Sequence, residues 1–168
     1  MSKPKVALIM GSDRDLVAMT GCIKNLRTFG IEFEAHIISA HRTPERCEKF
    51  ARSARENGFG AIIAGAGMAA HLAGVIAAYT TLPVIGVPIK ANTLDGLDAL
   101  LSMVQMPRGI PVACMGIDGS ENAAILAAEI FALNDEDLAF KLAAFKANMA
   151  DEVEKKDIEL QNSIDSIK

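Results

Sequence analysis

The sequence contains no tryptophan, one tyrosine (Tyr79) and only three cysteines, Cys22, Cys47 and Cys114. Three thiols, odd in number and far apart, make no disulfide framework; they read as reduced, small core residues of a cytoplasmic protein. The three histidines are dispersed, and neither Cys-x-x-Cys nor His-Glu-x-x-His occurs, so no metal site is expected. A Gly-x-Ser-x-Gly elbow and a phosphate loop ending in Gly-Lys-Ser/Thr are also missing. No stretch approaches the ~18 uninterrupted apolar residues of a membrane span. The apolar run Val6–Met10 is too short for the core of a targeting signal and ends in Gly-Ser-Asp, so neither membrane nor export is expected. Positive charge is in deficit: 17 Lys and Arg stand against 21 Asp and Glu in 168 residues, a net of −4. Without a surplus of cations there is little counterion release to drive nucleic-acid binding, and no nucleic-acid partner is expected. The deficit is local, because residues 134–168 hold nine acids and five bases while 1–133 hold twelve of each.

What is present is aliphatic. At 51% hydrophobic and 23% charged the chain is a folded one, and its length suits one domain with an appendage. Short β-rich runs alternate with segments of helical period. Strands are expected at Val6–Met10, Glu32–Ile38, Ala61–Ala64, Pro83–Val87 and Pro111–Met115. Helices are expected at Asp15–Phe29, Pro44–Asn57, about Ala69–Tyr79, Leu97–Val104 and Glu121–Leu133. Strands apolar on both faces and separated by helices indicate a parallel sheet covered on both sides. The fold class is therefore α/β: a three-layer αβα, doubly wound, five-stranded parallel sheet of flavodoxin-like type over 1–133. Residues 134–168 form a C-terminal helical extension. Leu138, Leu142, Phe145, Met149, Val153, Leu160, Ile164 and Ile167 make a stripe along it, which either folds back on its own domain or packs on a neighbouring subunit.

In such folds ligands bind outside the carboxyl ends of the strands, where the strand order reverses. That places interest on Gly11–Asp15, Ser39–Pro44, Gly65–His71, Gly86–Ala91 and Gly116–Asn122. Gly11 permits a tight turn before a helix N-terminus, where backbone amides suit phosphate; Ser12 can donate, Arg14 brings charge and Asp15 can accept from sugar hydroxyls. The competing reading is a capped helix, with Ser12 or Asp13 as N-cap and Asp15 complementing the dipole. Thr43-Pro44 marks a helix start, which leaves Ser39, His41 and Arg42 in an exposed loop. Arg42 can fork onto a phosphate, and the His41 imidazole can carry a proton. His36 shares a strand face with Glu32 and Glu34 and is read as solvent-facing and without a role. Gly65-Ala66-Gly67-Met68-Ala69-Ala70 imitates a dinucleotide fingerprint, but no acidic residue ends the next strand, so a nicotinamide cofactor is rejected. These small residues instead let a flat ring approach the backbone, with His71 one turn into the helix. Taken alone, His71 reads as structural before it reads as functional. Gln105–Pro111 lies at the opposite end and reads as a rigid connector within one subunit.

Met10-Gly-Ser-x-x-Asp15, Ser39-Ala-His-Arg-Thr-Pro44, Ala64-Gly-Ala-Gly67, Ala69-Ala-His-Leu72, Pro83-Val-Ile-Gly-Val-Pro88, Gln105-Met-Pro107 and Asn122-Ala-Ala124 occur in register. Together they resemble the PurE family, the N5-carboxyaminoimidazole ribonucleotide mutases of purine biosynthesis, from about Lys5 to Leu133. The resemblance implies an isomerase without metal or organic cofactor. It would move a carboxyl group from an exocyclic nitrogen to the neighbouring ring carbon of a small ribonucleotide, inside a closed pocket. It further implies His41 as proton carrier and Ser12, Asp15 and Arg42 as substrate binders. Ser39 would support the phosphate end, with Gly11 and Arg14 in the same loop region. Gly67, Ala69, Ala70 and His71 would line the base and carbon dioxide pocket, and the chain would assemble as a homo-octamer. This chain departs from the family pattern at Arg14, Leu16, Met68, Ala73, Lys90-Ala91 and Ala99. Arg14 offers a charged contact in place of a hydroxyl, and Met68 bears on pocket shape. His-Arg-Thr-Pro favours the mutase branch over the carboxylase branch, which takes free carbon dioxide. A non-catalytic nucleotide- or phosphate-binding module is the rival of another class.

Overall fold

The computed structural model describes residues 3–165 and 167; Met1, Ser2, Ser166 and Lys168, the last two inside the expected extension, lie outside the described residues. Five strands, β1 (Lys5–Met10), β2 (Phe33–Ile37), β3 (Phe59–Gly67), β4 (Val84–Ile89) and β5 (Ala113–Cys114), form one parallel sheet in the order β2-β1-β3-β4-β5. The chain steps from β1 outward to β2, then returns past β1 to β3, so the order reverses between β1 and β3. The period of two along β1 sends Val6, Leu8 and Met10 to one face and Ala7 and Ile9 to the other.

On the first face lie α1 (Leu16–Phe29) and α5 (Ser120–Ala132), through Met19, Cys22, Leu26 and Phe29 of α1 and Ala123, Ala124, Ala127 and Ala128 of α5. The alanine stripe keeps α5 thin enough to share that face with α1. Burial between them pushes the Cys22 thiol up to about 12, as suits an inert core residue; Cys47 is buried too, whereas Cys114 is only half-buried. On the second face lie α2 (Pro44–Ser53), α3 (Leu72–Tyr79) and α4 (Leu97–Val104), through Cys47, Ala51, Leu72, Ala73, Ile76, Ala99 and Met103. The doubly wound reading holds.

Several boundaries shift. A 3-10 turn over Asp13–Asp15 precedes α1, which starts at Leu16. The α1 helix ends at Gly30, whose φ of 71° suits glycine, and the Gly30 and Ile31 amides donate back to Arg27 and Leu26. The α2 helix stops at Ser53 rather than Asn57, and β3 is longer than expected at both ends. β2 is an edge strand, only partly covered. His36 on it is half-buried rather than fully solvent-facing: its ring stands edge-on to Phe50 at 5.5 Å and its Nε2 lies 3.4 Å from Glu34, which also pairs with Lys5. Phe50 in turn packs on Phe59, with ring centroids 5.6 Å apart.

The extension is one 30-residue helix, α6 (Glu136–Asp165). Leu138 and Leu142 are buried against the first core, and Phe145 meets Phe29 edge to face at 5.5 Å. Lys141 Nζ donates to the Phe29 carbonyl and Lys3 pairs with Asp135, fixing the start of the helix to the domain. Beyond Phe145 the stripe is uncovered: Met149, Val153, Leu160 and Ile164 are exposed, and Ile167 lies past the end of the helix.

Candidate active site

Three loops meet at the carboxyl edge of the sheet over the β1–β3 switch. The Gly11 amide donates to the Gly65 carbonyl at 3.1 Å, so the first and third loops leave the sheet side by side. In the first loop Asp15 Oδ2 accepts from the Ser12 amide at 2.9 Å while Ser12 Oγ accepts from the Arg14 amide at 3.3 Å, a reciprocal capping box. The capping reading of Ser12 and Asp15 is thus realised. Burial pushes the Asp15 carboxyl above the ordinary aspartate value, opposed by the Ser12 and Gly11 amides and by the charge of Arg42. Arg14 is exposed on the outer side of this turn.

The second loop is a closed hydroxyl turn. Thr43 Oγ1 accepts from the Ser39 amide at 3.0 Å and donates to the Ser39 carbonyl at 2.9 Å, and Ser39 Oγ accepts from the Arg42 amide at 3.1 Å. Thr43 therefore ties the loop rather than capping α2 with its side chain, while Pro44 takes the first helical position. His41 and Arg42 sit on this turn with exposed side chains. Arg42 Nη2 donates to the Gly11 carbonyl at 3.2 Å, joining the second loop to the first.

The third loop carries Gly67-Met68-Ala69-Ala70-His71. Gly67 borders β4 closely: a Cβ there would stand 3.0 Å from the Ile89 carbonyl oxygen and 3.9 Å from the Ala91 Cβ. Met68 has a φ of 56°, and the Ala70 and His71 amides turn back to the Met68 and Ala69 carbonyls at 2.8 Å. This tight reversal makes His71 the N-cap of α3, not a residue one turn inside it. It swings the His71 ring to meet His41: Nδ1 of His71 lies 2.8 Å from Nε2 of His41, with the rings at 85°. Ala69 is exposed beside them, whereas the Ala70 methyl is buried in the second core and does not reach the open crest.

Ser12, Asp15, Ser39, His41, Arg42 and His71 therefore share one crest with Gly11 and Gly67. The arrangement offers a guanidinium and a turn of amides for an anion, a carboxylate for hydroxyl donors and an imidazole pair for proton movement. Among the described residues no group of three or more His, Cys, Asp or Glu side chains is placed to hold a metal ion. The crest is open, since His41, Arg42, Met68, Ala69 and His71 are all exposed in the single chain. What the loop motifs do not reveal is the His41–His71 contact or the flank supplied by Ala91. The signal for Ala91 is the β3–β4 register, which sets Gly67 opposite Ile89.

The AIR carboxylase family profile matches residues 5–152. An N5-carboxyaminoimidazole ribonucleotide mutase of Pyrococcus abyssi is 56% identical over 87% of this chain and 84% of its own. That of Thermotoga maritima is 51% identical over 89% and 88%. A phosphoribosylaminoimidazole carboxylase of Saccharomyces cerevisiae is 51% identical over 91% of this chain but 27% of its own length. The crystal structure of Treponema denticola PurE superposes with a TM-score of 0.85 at 30% identity, covering 94% of this chain and 98% of that one. With the family profile spanning residues 5–152 and relatives more than half identical over most of its length, the chain belongs to the AIR carboxylase family.

Proposed function

We propose that the protein is an N5-carboxyaminoimidazole ribonucleotide mutase of de novo purine biosynthesis, an isomerase giving 4-carboxy-5-aminoimidazole ribonucleotide. The observation that carries the reading is an exposed imidazole, His41, held over the β1–β3 switch beside Arg42. The relatives named as mutases, 56% and 51% identical, support it.

The chemistry balances with one proton carrier. The carbamate N–C bond breaks, carbon dioxide leaves and the electron pair stays on the exocyclic nitrogen. The electron-rich ring carbon then forms a C–C bond to the same carbon dioxide. That carbon must lose its proton and the nitrogen must gain one, so a single neutral imidazole at His41 serves both ends. Keeping the two fragments together replaces a bimolecular encounter, an advantage of about 7–11 kcal/mol in well-oriented systems. Arg42 and the Gly11–Ser12 turn, with Arg14 nearby and Ser39 bracing the second loop, hold the phosphate; Asp15 accepts from ribose hydroxyls. Gly67, Ala69 and the backbone at Ala70 admit the flat base, with His71 at its edge. The retention of carbon dioxide needs a lid that one open chain lacks. We place that lid, and the outer half of α6, against other subunits of a homo-octamer working in the cytoplasm, without resident cofactor.

A second reading follows from the relatives named as carboxylases. Two assay arms separate the two. Carbamate substrate without bicarbonate should be converted, and aminoimidazole ribonucleotide with bicarbonate alone should react far more slowly; the opposite ranking assigns the carboxylase. In the first arm His41→Asn should lower kcat by about 10²–10⁴-fold, the scale of general acid–base help, while product still binds by calorimetry. Unchanged turnover would leave only a binding module.

A further inference from the structure

A side chain held in the left-handed region is under strain, which its own contacts or a function must offset. Among the described residues three that are not glycine hold a positive φ: Met68 at 56°, Asp95 at 52° and Asp118 at 56°. Aspartate tolerates this region, and both carboxylates are bonded there. Asp118 Oδ1 accepts from the Lys90 amide at 2.9 Å, and Asp95 pairs with Lys90 Nζ at 3.2 Å. Met68 has no such compensation. At 63% it is the most exposed of the described methionines, and it belongs to neither apolar core. The reversal at this point is made by the backbone, through the Ala70 amide on the Met68 carbonyl, and glycine would make it without crowding. What the strain retains is therefore the side chain.

Its neighbours narrow the answer. Gly67 has no side chain, and a Cβ there would stand 3.0 Å from the Ile89 carbonyl oxygen. Ala69 is exposed but ends at its methyl, and the Ala70 methyl is buried in the second core. Along Gly67–Ala70, the stretch proposed to admit the flat base, Met68 alone carries an arm long enough to fold over a ring. That arm has three rotatable bonds and a polarisable sulfur that favours aromatic rings. We propose that Met68 is a substrate-contacting residue: its thioether closes over the aminoimidazole ring from within the subunit and keeps the freed carbon dioxide beside the ring carbon until the C–C bond forms. The proposal rests on the mutase reading for its kinetic arm, and ring binding tests it separately. Without the cover the intermediate partitions differently. Carbon dioxide leaves, the exocyclic nitrogen takes a proton, and aminoimidazole ribonucleotide is released in place of product. An apolar arm suits this task, because it displaces water from the ring and adds no charge beside an anionic substrate.

The test separates the arm from the strain. Met68→Ala keeps a strained Cβ and removes the arm, Met68→Gly removes both, and Met68→Leu keeps both. Carbamate substrate carrying 13C at the carboxyl is supplied in unlabelled bicarbonate, and wild-type product should keep most of its label at initial rates. Per turnover, Met68→Ala and Met68→Gly should each release about 2- to 10-fold more aminoimidazole ribonucleotide above the enzyme-free rate, the scale of one thioether–ring contact, and lose label to match. Met68→Leu, a volume-conserving change, should stay within about twofold of wild type. In protein labelled with 13C at the methionine methyls, the signal missing from Met68→Leu should move upfield on titration with aminoimidazole ribonucleotide, as a methyl over a ring face does. The proposal is overturned if Met68→Ala holds label as well as wild type, if Met68→Leu leaks as much as Met68→Ala, or if the Met68 methyl signal does not move. If the mutase reading itself is wrong, wild-type protein converts no carbamate, and the methyl shift alone decides whether Met68 covers the ring. Melting curves of the variants check that all fold.

Discussion

At the scale of single residues, the crest combines strain with burial of charge. Met68 occupies the left-handed region, where a Cβ crowds the following carbonyl by about 1–2 kcal/mol, and its side chain is 63% exposed, so packing does not repay the conformation. Met68→Gly removes that crowding but adds chain entropy, and should raise stability by about 0.5–1 kcal/mol. The check is a higher urea midpoint at unchanged slope; a lower midpoint would mean that the thioether makes a stabilising contact. Asp15 is the second case. Its folded-state value lies above that of the unfolded chain because burial disfavours the carboxylate, so the folded state binds the proton more tightly. The stability contribution is therefore fully present below the ordinary aspartate value and is lost as pH rises through the raised one. Asp15→Asn, which keeps an oxygen for the Ser12 amide, should be more stable than wild type at pH 7. It should lose that advantage in unfolding curves below about pH 4, the ordinary aspartate value. In the same variant the mutase proposal, in which Asp15 accepts from ribose hydroxyls, expects a raised KM for the ribonucleotide.

At the scale of elements, α6 is two helices in one. Its first three turns belong to the domain, through Leu138, Leu142 and Phe145, Lys146 pairs with Glu129 of α5, and beyond them the apolar stripe stands exposed. Large-to-small changes should therefore divide along its length. Leu142→Ala opens a cavity beside Phe29 and α5 and should cost about 2–5 kcal/mol. Leu160→Ala removes an exposed side chain and should change the stability of the subunit by no more than about 0.5 kcal/mol. Chemical unfolding of both at low protein concentration, where association contributes least, makes the comparison. Equal losses would place the outer half of α6 in the subunit's own core.

At the scale of the whole molecule, apolar surface stands exposed along the outer stripe of α6 and at Leu94, Leu97, Leu101 and Val104 along α4 and the loop before it. With the open crest, these surfaces fit a subunit that completes itself by assembly, as the octamer proposal holds. A chain ending at Ala150 keeps Leu138, Leu142 and Phe145 but loses Val153, Leu160 and Ile164. It should sediment as a smaller species than the full chain while still unfolding in one cooperative transition, with its far-ultraviolet helical signal reduced only by the deleted part of α6. An unchanged mass would remove the tail from the assembly.

Periodicity and loop position determined much of this protein in advance. Alternating apolar strands and helical stripes dictate the parallel, doubly wound sheet. Because the residues after a strand must stand at its carboxyl edge, Ser12, Asp15, Ser39, His41 and Arg42 are placed at the crest by local order alone. The Asp15 capping box is likewise legible, since its partners are three residues apart. The contact of His36 with Phe50 is not, because it depends on Phe50 arriving from another element. Nor is the division of α6, whose stripe reads the same along its length, nor the meeting of His41 with His71. A side-chain period records only which face of an element is apolar. Which elements face one another is decided by sheet order and packing, and it was the return of β3 beside β1, with the reversal at Met68, that brought the two imidazoles together.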